Sequence, residues 1–257
     1  MPDPKKKVVF FEGDDDKAFL EALQEAKLLP EGWQLANRNK QQHPGKDGLV
    51  RQLLPVVSPV NGIDGRAVVL VDLDDLSPTE RVAWFRSAID EALRNEPKYA
   101  GVVLESSGAR GRVQGFRLIS GDRVGHVAVV PVGHPDDADL NEQYGIDRFA
   151  IDDWVLRLAL NQRVFQNVGD LSCIRFDVAV KKYREVGALF RENGLEVRKA
   201  KTYVQILRAI AAIGPSTATI VGRLVKKGLE ALGTQEFTAL TKPFLDDLAV
   251  ADELVSA

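Results

Sequence analysis

The sequence predicts an α/β protein in which helices flank a mainly parallel sheet, with a helical carboxy-terminal part. Up to about residue 135, short apolar runs of strand length alternate with segments of helical period. From about residue 148 onward, almost only the helical period remains. Since 257 residues exceed the usual size of one core, we expect two domains, residues 1–147 and residues 148–257.

The first strand and the first helix meet at a run of acids. Residues 8–11 are apolar and predict a buried strand, and residues 14–29 follow with helical spacing. Asp14 and Asp15 stand in the first helical turn, where the helix dipole favours negative charge. We therefore expect these two aspartates to serve the start of the helix and not to bind ligands.

The next segments continue the alternation of strand and helix. Residues 33–39 predict a second strand, and residues 46–57 predict a second helix that Pro55 is expected to cut short. In residues 65–75, the chain is continuously apolar from Ala67 to Val71, which is typical of a strand covered on both faces. Residues 77–95 begin with a Ser-Pro-Thr-Glu capping box and predict a third helix.

Beyond this helix the pattern first favours a hairpin and then helices. Residues 113–133 contain two apolar runs around a Ser-Gly-Asp-Arg turn, which predicts two antiparallel strands. Just before them, Arg110 and Arg112 suit either a phosphate-contacting loop or a flexible connection. Further helices are predicted at residues 149–166, 176–193, 196–213, 215–231 and 236–254.

Composition and charge limit the classes of function. Cys173 is the only cysteine, which excludes a disulfide framework and a cysteine zinc site. Neither a signal peptide nor a membrane span follows the basic amino terminus, so we expect a cytoplasmic protein. Residues 175–227 hold twelve Lys and Arg against four Asp and Glu. This basic zone suits contact with a nucleic-acid backbone as well as it suits ordinary solvated helix faces.

Several carboxylates are predicted to meet at one edge of the sheet. Glu12 ends the first strand, and Asp72 and Asp74 end the third, where the carboxyl ends of parallel strands lie together. The period of two directs Asp72 and Asp74 to the same side and Leu73 into a packed layer. Such carboxylates repel one another unless a cation joins them, and their oxygen ligands favour Mg²⁺ or Mn²⁺.

Three segments around these acids carry a resemblance to a known family. They read FFEGDDDKAFL, HPGKDGLVRQLL and AVVLVDLDD within residues 6–135. Together they resemble the Toprim domain shared by topoisomerases, bacterial primases and OLD-type nucleases. No glycine closely follows the Asp-x-Asp pair, which places the likeness with the OLD-like branch. The resemblance implies a Rossmann-like Toprim sheet and a two-metal nuclease that hydrolyses phosphodiester bonds of DNA or RNA.

The resemblance also implies roles for the acids of the first and third strands. Glu12, Asp72 and Asp74 match catalytic positions of the family pattern. Asp16, in the first helix, joins them as an expected ligand of Mg²⁺ or Mn²⁺.

Two later segments extend these expected roles. In RFAIDDWVLRLAL, Asp152 or Asp153 resembles a further metal-ligating acid, although plain helix-start acids explain the pair equally well. In VRKAKTYVQIL, Lys199 or Lys201 resembles a lysine that offsets charge on the reacting phosphate.

The partners follow from the same resemblance. The expected partners are nucleic acid and, since the sequence has no Gly-x-x-x-x-Gly-Lys-Ser/Thr motif, a separate ATPase subunit in a bacterial defence system against phage. Two alternatives stay open: a non-catalytic metal- and nucleic-acid-binding module, and primase-like nucleotidyl transfer. The missing glycine and the lack of a zinc-binding module count against the second. The oligomeric state is left open.

Overall fold

The computed structural model describes residues 6–36, 45–61, 64–168, 175–194, 197–211 and 216–257. Parts of several predictions lie outside these residues, namely 37–39 of the second strand, 196 and 212–213 of one helix, 215 of the next, and Cys173.

Strands occupy the first half of the chain and helices occur throughout it. The strands are β1 (Lys7–Phe10), β2 (Trp33–Leu35), β3 (Arg66–Asp72), β4 (Val103–Arg110), β5 (Val113–Ser120) and β6 (Arg123–Val132). The helices are α1 (Asp14–Glu25), α2 (Gly45–Val57), α3 (Pro78–Asn95), α4 (Ala138–Tyr144), α5 (Asp152–Ala159), α6 (Gln162–Asn167), α7 (Phe176–Glu192), α8 (Ala200–Ala211) and α9 (Thr217–Ser256). No described helix combines the length and the apolar character needed to cross a membrane.

The six strands form one sheet in the order β2-β1-β3-β6-β5-β4. The pairs from β2 to β6 are parallel, and the pairs β6-β5 and β5-β4 are antiparallel. Phe10 is in register with Val69, so β1 and β3 run toward the same edge, and β3 continues three residues further to Asp72. The predicted α/β class with a mainly parallel, helix-flanked sheet is confirmed.

Helices cover both faces of the sheet. Val69 and Val71 of β3 point to the face covered by α2 and α3. Val68 and Leu70 point to the opposite face, whose core also includes residues of α1, α5 and α9. The alternation explains why this strand is apolar at every position from Ala67 to Val71. The carboxy-terminal helices therefore share a core with the first helix and the sheet.

Two boundaries differ from the sequence prediction at a proline and an asparagine. Pro55 does not cut α2 short, because it lies in the last turn, where its fixed φ suits a helix and only one hydrogen bond is lost. The helix predicted at residues 149–166 is divided into α5 and α6, because Asn161 accepts hydrogen bonds from the backbone N–H of Arg163 (3.0 Å) and Val164 (3.3 Å) and starts a new helix.

The hairpin of β5 and β6 is confirmed, but a further strand, β4, precedes it. Arg110 and Arg112, at the turn between β4 and β5, bind the last helix. Arg110 pairs with Glu253, and Arg112 Nε donates to Asp247 Oδ2 at 2.6 Å. Carboxylates of α9 thus pair with both arginines at the tight turn between β4 and β5.

The last two predicted helices are joined in α9. Gly233 interrupts it with φ 71° and ψ 165°, a left-handed conformation that suits glycine. The two helical stretches therefore remain distinct on either side of Gly233, close to the predicted boundary.

Candidate active site

Glu12 and Asp72 meet at the carboxyl edge of the parallel strands, as predicted. Glu12 follows β1, and its Oε1 accepts a hydrogen bond from the backbone N–H of Asp72 at 3.1 Å. Asp72 is the last residue of β3. The side chain of the first acid thus contacts the backbone of the second, because the two strands are parallel neighbours and Glu12 lies two residues beyond Phe10, which is in register with Val69.

Two aspartates of the first turn of α1 lie beside this pair. Asp16 Oδ2 accepts from the backbone N–H of Gly13 (2.7 Å) and of Glu12 (3.0 Å), which turns the chain sharply between β1 and α1. Asp15 is also buried, and its Oδ2 lies 2.6 Å from Lys201 Nζ. Asp15 stands in the first turn of α1, as expected, and it is in addition an ion-pair partner within the site.

The structure separates Asp152 from Asp153. Burial raises the pKa of Asp152 to about 7, with Lys201 lowering it and Asp15 and Asp16 raising it, so this carboxylate faces the other acids. Its Oδ1 is buried and has no hydrogen-bond partner among the described residues.

Asp153 points elsewhere. Its Oδ2 accepts from the backbone N–H of His134 (2.9 Å) and of Ala150 (3.1 Å), which fixes the loop before α5. Burial raises its pKa to about 7, and Arg112 lies near enough to lower it in part. The structure thus brings Asp152 to the other acids and places Asp153 at a hydrogen-bonded loop, because successive residues of a helix face different directions.

Glu12, Asp15, Asp16, Asp72 and Asp152 are called the acid cluster below. Burial raises the pKa of Asp72 well above its ordinary value, and the negative charges of Asp16, Glu12 and Asp152 raise it further. Carboxylates from β1, α1, β3 and α5 therefore act on one another at this edge. Their mutual repulsion lowers the stability of the folded state.

Two lysines of the α8 region provide positive charge next to the acid cluster. Lys201 pairs with Asp15, and Lys199 Nζ lies 2.8 Å from Asp74 Oδ1. Burial alone lowers the pKa of Lys201, but the hydrogen bond to Asp15 and the charge of Asp152 outweigh it and raise the pKa. Both predicted lysines therefore lie at the site, on different aspartates.

Asp74 is placed differently from the prediction. It lies beyond the end of β3 with φ 52°, a left-handed conformation, so the period of two does not reach it, although Leu73 is buried as expected. Its carboxylate is held between two cations, Lys199 Nζ and Arg81 Nη2, each at 2.8 Å. The buried Arg81 also donates to the backbone carbonyl of Leu73 at 2.8 Å.

The donor types of the acid cluster suit a hard divalent cation, because all are carboxylate oxygens. The buried, unpartnered Oδ1 of Asp152 is one such oxygen. Within the described ranges, however, no three or more His, Cys, Asp or Glu side chains are arranged as a group that could hold a metal ion. Lysine ammonium groups provide the counter-charge in this arrangement.

Sequence reasoning missed Asp15 and Arg81. Asp15 lies four residues before Phe19 and so shares the buried face of α1, a spacing that the sequence contains. Arg81 stands one helical turn after the Ser77 cap in α3, but nothing in the sequence pairs it with Asp74, because the left-handed turn at Asp74 determines that contact.

Comparisons of the chain with protein-family models, with curated proteins and with solved structures found no match.

Proposed function

We propose that the chain is a metal-dependent nuclease of the OLD-like Toprim type that hydrolyses phosphodiester bonds of nucleic acids. The observation that carries the proposal is the hydrogen bond of Glu12 to the backbone of Asp72 at the carboxyl edge of a parallel sheet, with Asp16 and Asp152 beside them. Acids from four separate elements converge there although their repulsion destabilises the fold, and catalysis at a phosphate is a function that needs such a cluster.

The acid cluster would hold the cation through Glu12, Asp72 and Asp152. Mg²⁺ or Mn²⁺ bound there supplies counter-charge to the phosphate and activates water for hydrolysis. Asp16 contributes by holding the β1–α1 turn through its hydrogen bonds to Gly13 and Glu12, which keeps Glu12 directed at Asp72.

The lysines would act on the phosphate. Lys201 and Lys199 are the flexible cations nearest to the acid cluster, and an ammonium group can move from an aspartate to a phosphate oxygen with a small side-chain rotation. Arg81 is a positioning residue in this scheme, because it fixes Asp74 and Asp74 in turn holds Lys199. Positive charge near the scissile phosphate stabilises the charge that develops there.

The test is cleavage of plasmid DNA and of RNA by the purified full chain with Mg²⁺ or Mn²⁺. Glu12→Gln and Asp72→Asn should each abolish cleavage, since each removes a carboxylate without changing size. Asp246→Asn is the matched control, because Asp246 is exposed and pairs only with Lys242 of its own helix turn in the contacts described. Cleavage that persists in both cluster variants would contradict the proposal.

A second candidate is a non-catalytic nucleic-acid-binding module. The observation that favours it is the absence of a metal-binding group among the described residues, with lysines on the aspartates instead. Such a module would bind nucleic acid in EDTA and in Mg²⁺ alike and cleave neither DNA nor RNA. A shift of the nucleic acid on a gel without new fragments would favour this candidate over the nuclease.

The resemblance to OLD-like proteins further leads us to propose a separate ATPase partner in defence against phage. The absence of a Walker-type motif from the full sequence supports a separate source of ATP-driven work. Infection of cells that carry the chain with and without a neighbouring ATPase gene would test this, with protection expected only from the pair.

A further inference from the structure

A cationic cavity lies beside the acid cluster. It has a volume of about 270 Å³ and is lined by Arg148, Arg198, Lys199, Lys201, Thr202 and Gln205. This volume is below the range of cavities that take drug-sized ligands, so it suits a small group. Four cations and two neutral side chains with hydrogen-bond donors line it, and among the described residues no acidic side chain does so. This lining is complementary to a small anion.

The backbone fixes the cations of the cavity in place. The backbone N–H of Arg148 donates to the carbonyl of Arg198 at 3.0 Å, and Arg148 forms a β-bridge with Lys199. On its other side, the segment is bridged to Asp74 through Phe149, with two hydrogen bonds of 2.8 Å. The cavity is therefore built on the same connection that carries the end of the third strand.

Two lysines connect the cavity to the aspartates of the candidate site, but only Lys201 pairs with a member of the acid cluster. Lys199 and Lys201 line it and also pair with Asp74 and Asp15. A ligand in the cavity would thus lie next to the carboxylates that we propose for hydrolysis. A phosphate that belongs to the same nucleic-acid strand as the cleaved bond would lie this close to the carboxylates.

The two arginines of the cavity can donate directed hydrogen bonds in addition to providing positive charge. Arg148 Nε is buried and has no hydrogen-bond partner among the described residues, and the guanidinium lies 3.8 Å from Asp75, a distance too long for a hydrogen bond. Arg198 Nε donates to the carboxylate of Asp147 at 2.7 and 2.9 Å, so this guanidinium already binds anionic oxygens. Planar donor sets of this kind match phosphate oxygens.

We propose that this cavity binds a phosphate group of the nucleic-acid strand, next to the bond that the acid cluster cleaves. The proposal rests on the proposed function for its neighbouring site, but the binding itself needs no cleavage. The phosphate is either one at the end of the strand or one within it, and the two sources share the same oxygen chemistry.

The test is binding by the full chain in EDTA, where metal-dependent cleavage does not occur. Fluorescently labelled single-stranded oligonucleotides with a 5′-phosphate, a 3′-phosphate or hydroxyl ends are titrated, followed by competition with inorganic phosphate. The variant Arg148→Gln/Arg198→Gln should weaken binding about tenfold or more, because it removes two charge-assisted contacts. The slope of log affinity against log salt should fall by about 1.4, since each contact to a single strand contributes about 0.7.

The control variant carries the same change of charge elsewhere. In Arg86→Gln/Arg163→Gln, each arginine is exposed, lies outside the basic zone and pairs with a carboxylate, that of Asp90 or Glu236. It should bind nearly as the wild type does. Should the cavity variant fail to fold by circular dichroism, Gln205→Glu places a negative charge at an exposed lining position and should weaken binding as well.

The outcomes separate the two proposals. Preference for a terminal phosphate, with displacement by inorganic phosphate, assigns the cavity to the strand end, and equal binding of all ends assigns it to an internal phosphate. If the wild type, the cavity variants and the control variant bind the oligonucleotides with equal affinity, the proposal that the cavity binds a phosphate is wrong. If Glu12→Gln does not change cleavage but the cavity variants lose binding, the proposed nuclease site is wrong and the proposed phosphate site is supported.

Discussion

Asp152→Asn should stabilise the protein at about pH 8 and change its stability little at about pH 4. Asp152 is only 6% exposed, and burial among acids raises its pKa to about 7. At high pH the folded protein therefore holds a charge that the unfolded chain places in water at no cost. The asparagine side chain has nearly the same shape and carries no charge, so it removes this penalty.

The sign and size follow from the two pKa values. Because the pKa is higher in the fold than the ordinary 3.8, the folded state binds the proton more tightly, and stability falls as the pH rises from about 4 to about 7. At 1.36 kcal/mol for each pH unit between the two values, the penalty reaches about 4 kcal/mol at most. Asp152→Asn should recover a large part of it above about pH 7.

Urea unfolding followed by circular dichroism in EDTA, at about pH 4, pH 6 and pH 8, measures the difference between variant and wild type. Asp246→Asn, at an exposed position, should show no such growth of the difference with pH. A difference that stays constant with pH, or a variant less stable than the wild type at about pH 8, would refute the account of Asp152 as a strained buried acid. When Mg²⁺ replaces EDTA, the wild type should become more stable to urea and Asp152→Asn should not, because the variant lacks a carboxylate that we propose holds the cation.

Two further substitutions test the supports of the site, each read from the shift of the urea midpoint. Arg81→Met should cost about 3 kcal/mol, because it leaves the largely buried Asp74 with one cation fewer; a change within error would show that the pair is not needed for stability. Gly125→Ala should cost about 3 kcal/mol, because the new Cβ would lie 1.8 Å from the backbone oxygen of Val57. Gly222→Ala is its control, because the new Cβ at this helical position would make only an ordinary contact, 3.9 Å from the backbone oxygen of Ala18, and equal stability of the two variants would contradict the packing argument.

The sheet and most helices could be predicted because their signals are local. The unbroken apolar run of β3 indicates a strand with both faces covered, and the cap of α3 uses Ser77 and Glu80 as the sequence suggests, with the Ser77 N–H donating to Glu80 at 2.9 Å. Strand β4 could not be found in the same way, because it is an edge strand with mostly exposed side chains and lacks an apolar period.

The candidate site likewise has some contacts that the sequence predicts and others that it does not. Glu12 and Asp72 were predictable as neighbours, since strand direction alone brings them together. The choice of Asp152 over Asp153 depends on how α5 is rotated, and the partner of Asp74 depends on its left-handed backbone. These are consequences of tertiary packing that no local pattern contains.

The position of α9 has a consequence for how the chain is made. One face of the sheet and helix α1 are covered by α9, which is joined to β1 through Lys7 and Asp252 and to the β4–β5 turn through Arg112 and Asp247. During synthesis, the amino-terminal strands leave the ribosome long before this helix exists. Their apolar surface therefore stays exposed until translation reaches α9, so we expect nascent chains to depend on a chaperone and truncated chains to aggregate.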